Sequence, residues 1–254
     1  MKPIIRYILI TASRDWLFLG LILFILIASA ISMFLGSAAI SEQQLMQIAY
    51  LAGSSRIILV VGMILFTCFH IRRSFDNREI EYNLSRPISR NQFVYAYFLG
   101  FFLLATLITI PVIILLLTLF KVKFLVSLLW SLSLLFELLI MSSFAILASL
   151  ILRSAVSAVL ACFCFYFISR IIGFAVSTII IPKELSHFSI TTLMESFLKV
   201  ISIFLPRLDL FAKSKWLVYQ SIEMSLFNLI SIQTLIYLTL ILLMSLLDFR
   251  KRQF

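Results

Sequence analysis

Two residues of opposite charge stand alone in long apolar runs of this 254-residue chain: Glu137 in FLVSLLWSLSLLFELLIMSSFAILASLIL and Arg170 in AVSAVLACFCFYFISRIIGFAVSTIII. An unpaired charge at the centre of a bilayer costs about 2.5–3.5 kcal/mol even on lenient scales, so such a residue calls for a partner. Arg153 marks a tight turn between the two runs, with Glu137 16 residues before it and Arg170 17 after it. At about 1.5 Å rise per residue both lie roughly 25 Å from that turn. We therefore expect an intramembrane ion pair, Glu137–Arg170, fastening a helical hairpin.

The second chemically dense stretch is RRSFDNREIEYNLSRPISRNQFVYAYFLG, residues 72–100, the part of the chain richest in both signs of charge. Arg72 to Leu84 lacks Gly and Pro and reads as a short helix outside the bilayer. Pro87 stops it, because the residue before a proline is pushed out of the α region, and Ser89 is placed to cap the next helix. The expected product is an elbow over residues 72–92 that offers Phe75, Asp76, Arg78, Glu79, Glu81, Tyr82, Arg86 and Arg90 to a partner.

Other chemistries find little to stand on. His70 and His187 lie in different segments, and Cys68, Cys162 and Cys164 all sit in apolar blocks. Neither a histidine metal site nor a disulfide framework is expected, and the cysteines read as small buried hydrophobes. A membrane enzyme acting on a lipid or lipid-linked substrate needs clustered His, Asp or Glu near an interface. Here only Asp76, Glu79 and Glu81 cluster. No G-x-x-x-x-G-K-[ST] run is present, and the six glycines are scattered singly, so no loop of this chain can cradle the phosphates of ATP.

The elements that must position these residues are membrane helices. The chain is 63% hydrophobic and 13% charged, with a mean hydropathy of +1.14. A water-soluble surface needs about twice that share of charge. Six blocks meet the roughly 20 apolar residues that a crossing takes. They are Leu17–Phe34, Ile57–Ile71 (extended backwards by Tyr50–Ser55), Phe93–Phe120 with a kink at Pro111, Phe124–Leu152, Ala155–Ile181 and Ile230–Leu247. Residues 1–16 interleave Lys2, Arg6 and Arg14 with Ile4, Ile5, Ile8 and Leu9. They read as an interfacial helix, not a secretory signal peptide, with Trp16 at the aromatic belt. Residues 182–229 read as an external segment with two short helices on, or dipping into, the outer leaflet. Met194, Phe197, Leu198, Ile201 and Leu205 form one apolar face there, and Trp216, Tyr219 and Phe227 mark the outer interface.

The net charge of +10 has its explanation in the same topology. Twelve basic residues fall on one side in short segments. Eight (Arg56, Lys121, Lys123, Lys183, Lys199, Arg207, Lys213 and Lys215) fall on the other, five of them in the long external segment. Short basic loops face the cytoplasm, so both termini are expected there, in contact with anionic lipid and not with nucleic acid. The fold class is thus all-α: a single transmembrane domain over residues 1–254, with an N-terminal interfacial helix, a cytoplasmic coupling helix and outer-leaflet half-helices before the last span.

Two runs carry a family resemblance. Leu84-Ser85-Arg86-Pro87-Ile88-Ser89-Arg90 follows an acidic stretch and precedes an aromatic-rich span ending in Leu99-Gly100. Leu205-Pro206-Arg207-Leu208-Asp209-Leu210-Phe211 is followed by Trp216-Leu217-Val218-Tyr219. In this order on six spans they resemble type-2 ABC transporter permeases, most of all the branch associated with multicopper-enzyme maturation. The resemblance implies a permease subunit of the inner membrane, without enzyme activity of its own, that exports a substrate. It also implies a separate ATP-binding subunit carrying ATP and Mg, and a second permease copy or paralogue. The eight elbow residues named above would then be the docking contacts for the ATPase. Ala96 and Tyr97 depart from the family, which usually carries Gly-Lys there. The other readings weighed are the lipid-directed membrane enzyme and an ATPase-free assembly or immunity protein.

Overall fold

A computed structural model describes residues 2–38, 42–77, 90–179 and 205–251. Helix α1 spans Lys2–Arg14, α2 Leu17–Ala38, α3 Gln43–Asp76, α4 Arg90–Thr118, α5 Phe124–Ile151 and α6 Ala155–Ile179. A 3-10 turn at Leu208–Leu210 and the short helix α7, Ser214–Val218, precede α8, Met224–Lys251. No strand occurs among the described residues. Helices α2 to α6 and α8 are long and apolar enough to cross a membrane, and the chain is a multi-pass membrane protein. In lipid each backbone N–H and C=O must be satisfied within the protein, and a helix does so within the segment itself.

Helix α5 is the centre of the bundle. Of its apolar window 83% is buried, against 33% for α6 and α8, and it packs on α3, α4, α6 and α8. Its sequence explains the position. Six serines (Ser127, Ser131, Ser133, Ser142, Ser143 and Ser149) are buried along it. Small side chains let neighbouring backbones approach closely where lipid supplies no hydrophobic drive for helix association. Ser142 and Ser143 return their hydroxyls to the carbonyl of Leu139 at 3.1 and 2.7 Å, so they are accommodated without a second helix. By contrast α2 points Leu19, Leu23, Phe24, Ile27, Ile31 and Phe34 outward, as a helix facing lipid should.

The N-terminal helix α1 buries Ile4, Ile8 and Ala12. It lies on α4, where Ile8 packs against Gly100 so closely that any side chain at position 100 would have to displace it. Trp16 at the α1–α2 turn is 73% exposed, in keeping with a belt position, and adopts φ 58°. Arg14, Arg72, Arg73 and Arg90 fall at one end of the bundle, here the basic end. Asp15 pairs with Arg73 at 3.7 Å, and Phe93 stacks on Phe249 with ring centroids 5.3 Å apart. The α1–α2 turn, the end of α3, the start of α4 and the end of α8 are therefore level with one another. His70 is buried in this region among the rings of Tyr7, Phe66, Tyr97 and Phe101.

The structure corrects several expected boundaries. The second span is one helix of 34 residues from Gln43, and it runs on to Asp76; residues 72–76 do not begin a separate helix. No Gly or Pro interrupts the chain between Ser54 and Asp76 apart from Gly62, so nothing breaks the helix at the membrane surface. The last helix starts at Met224, six residues ahead of the expected Ile230. Pro111 lies inside α4, as the expected span had it. The amphipathic face expected over Met194–Ile201 lies outside the described residues, as does the Ser89 cap.

Candidate functional site

The site is built from three helices and one irregular segment. Glu137 is the fourteenth residue of α5, fully buried, and Arg170 of α6 reaches it: Nη1 lies 3.0 Å from Oε1. The same Nη1 donates to the carbonyl of Leu208 at 3.0 Å. One guanidinium thus binds the hairpin partner and the backbone of the 3-10 turn. Counting from the turn at Arg153, the two residues stand 16 and 17 positions away, about 24–26 Å along their helices.

A third charge joins them. Arg56, expected at the outer end of the second span, lies inside α3, close enough to Glu137, Arg170 and Tyr166 to interact with each electrostatically. Its Nη1 donates to the carbonyl of Ala212 at 3.3 Å. The N–H of Ala212 is held in turn by Ser133 Oγ of α5 at 3.0 Å. Ala212 is fully buried with φ 43°, a left-handed conformation that costs a non-glycine residue of order 1–3 kcal/mol. Both of its backbone polar groups are satisfied by side chains from the spans. Irregular backbone survives at membrane depth only on such terms. Tyr166 also stands beside Glu137, its hydroxyl just outside hydrogen-bond geometry.

The irregular segment, residues 205–223, is a re-entrant plug. Leu208, Leu210, Phe211, Ala212, Trp216 and Leu217 are all buried, and α7 packs on α3 and α5. Trp216, expected at the outer interface, is only 4% exposed, whereas Tyr219 at 70% does face outward. The physical reason is local: with two hydrogen-bonded anchor points at Leu208 and Ala212, the segment is drawn inward and its largest apolar side chain fills the space between helices. Phe227 is half-buried beside Phe136.

Asp209 turns back to Arg207, Oδ2 to Nη2 3.2 Å, and its carboxylate rests directly on Gly173 of α6. A Cβ at position 173 would occupy the space of the carboxyl group. We expect Gly173→Ala to lower stability by about 1–3 kcal/mol through overpacking. In an Asp209→Ala background the same change should cost little. Thermal unfolding of the four proteins in detergent checks this, and additive effects would show that the two positions do not touch.

Beside the plug, α5, α6 and α8 enclose a cavity of about 1020 Å³ that is open on one side. Arg207, Ser225, Asn228 and Gln233 line one end, and Phe144, Leu147, Phe165, Leu240 and Met244 the other.

Of the expected coupling residues, Phe75 and Asp76 close α3 at the basic end. Asp76 pairs with Arg72 at 3.3 Å, and the Arg72 guanidinium sits 5.8 Å from the centroid of Phe75. Arg90 opens α4. Arg78, Glu79, Glu81, Tyr82 and Arg86 lie outside the described residues. Among the described residues no group of three metal-ligating side chains gathers. The sequence reading missed Arg56 and the backbone carbonyls as partners. The signal for Arg56 was present in Tyr50–Ser55 and Ile57–Val61, which flank it with helix-compatible apolar residues on both sides. No protein-family model matches the chain, and no curated protein is significantly similar to it.

Proposed function

We propose that this chain is the membrane-spanning subunit of an ABC-type exporter, coupling ATP hydrolysis on a separate subunit to movement of a substrate across the inner membrane. The observation that supports this most is the continuity of α3. One unbroken helix carries both Arg56 of the charge cluster and the terminal Phe75 and Asp76. These are 19–20 residues apart, about 30 Å along the axis. A push on the loop after Asp76 is delivered by a stiff rod to the side chain that holds the plug. The residues facing that push, at 72–92, are those that resemble the ATPase-docking loop of type-2 ABC permeases. In this reading the basic end faces the cytoplasm, ATP and Mg reside on the partner, and two copies, or one copy and a paralogue, form the pathway.

The test is co-purification. A tagged chain should carry with it a Walker-motif ATPase, and reversing Asp76, Glu79 and Glu81 to lysine should abolish that association. The reversed chain should keep the wild-type elution volume and melting temperature. A chain that purifies alone from native membranes, or a triple variant that keeps its ATPase, would refute the proposal.

A further inference from the structure

We infer that the cavity beside the plug is a site for an acidic membrane phospholipid, with its phosphate at Arg207 and an acyl chain running along α8. The lining is graded in the way an amphiphile is. Over the first turns of α8 it presents Ser225, Asn228 and Gln233 beside Leu229 and Ile232, and after Gln233 it presents Ile236, Tyr237, Leu240 and Met244, faced by Phe144 and Phe165. From Ser225 to Met244 the helix rises about 28 Å, so the groove follows nearly the whole height of the span. A volume of about 1020 Å³ is at the upper end for sites of drug-sized ligands.

Charge decides which amphiphile. Arg56, Arg170 and Arg207 stand in or beside the cluster, against the two carboxylates of Glu137 and Asp209. Among the described residues these three cations outnumber the two anions, in surroundings of low dielectric where charge acts strongly. Arg207 is the guanidinium nearest the groove. It lines the cavity, its side chain is about one-third exposed, and Asp209 engages only its Nη2. A phosphodiester accepting from the exposed part of this guanidinium balances the cluster. A zwitterionic head group brings its own cation and does not.

Binding of this lipid is independent of any ATP-driven role. Purified chain titrated with phosphatidylglycerol or phosphatidylcholine and weighed intact by native mass spectrometry should bind the first roughly tenfold more tightly, as one charge-assisted hydrogen bond supplies. Arg207→Gln should bring the two lipids to near parity. Leu240→Trp, which fills the apolar end, should weaken both equally while leaving their ratio intact. Should Arg207→Gln fail to fold, Asn228→Leu at the same end serves in its place and should cut the preference by about half. Equal affinity of the wild-type chain for both lipids would overturn the inference. So would an undiminished preference in Arg207→Gln, or a groove closed by a second copy, seen as a dimer that binds neither lipid.

Discussion

Glu137→Leu should be the most damaging single substitution in the chain, lowering stability by about 3–5 kcal/mol, the loss found when one member of a buried pair is removed. The carboxylate is fully buried and is the anion that both Arg170 and Arg56 address. Leucine fits the helix and the apolar surroundings, so helix propensity and packing are not the issue. What remains is two guanidinium groups within the bundle with backbone carbonyls as their partners. Glu137→Gln, which keeps the shape and a hydrogen-bonding oxygen, should fall between. The double variant Glu137→Leu/Arg170→Leu should be less damaged than Glu137→Leu alone, because it removes the orphaned charge along with the pair. It will not return to wild type, since the bond from Arg170 to Leu208 is lost as well. Melting temperatures and the monodisperse fraction in mild detergent report all of these. An unshifted melting temperature for Glu137→Leu, or strictly additive single effects, would refute the account.

Trp216→Ala should rank next, at about 3–5 kcal/mol, for a different reason. Trp216 is the largest buried side chain that the plug contributes, in a segment with little helix of its own. Truncation leaves a cavity between α3, α5 and the plug that stiff helices close poorly. The charges remain paired, so the effect should be local: the spans persist while residues 205–223 lose their seat. Limited proteolysis from the side opposite the basic end should then cut near Lys213 and Lys215 at a rate well above wild type. Circular dichroism should show the helical signal retained. Loss of helical signal without faster cleavage would place the tryptophan in the bundle's stability and not in the plug's.

How much of this was legible in the sequence depends on the kind of regularity involved. The spans were, because hydrophobic length is a one-dimensional property. The meeting of Glu137 with Arg170 was also, because two helices leaving one turn climb at a fixed rise per residue. Arg56 was not. It was expected at the outer end of a span reaching back to Tyr50, and only the continuation of the helix to Gln43 places it well inside α3. The plug was half legible: its residues were singled out, yet Trp216 was assigned to the surface. The bonds that draw the segment inward run to the carbonyls of Leu208 and Ala212 and to the N–H of Ala212. Every residue possesses those groups, so no residue type advertises them. Gly173 likewise reads as an ordinary helix glycine until the Asp209 carboxylate is found resting on it.

The bond from Arg56 to Ala212 spans 156 positions of the chain. A ribosome adding about 5–20 residues each second makes the arginine on the order of ten seconds before the carbonyl that will receive it. Throughout that interval the nascent third helix carries a cation without its final acceptor, and Glu137 becomes available only midway. Insertion of this protein is therefore staged: the α5–α6 hairpin can cross with its own charges matched, whereas α3 stays incompletely docked until the plug emerges.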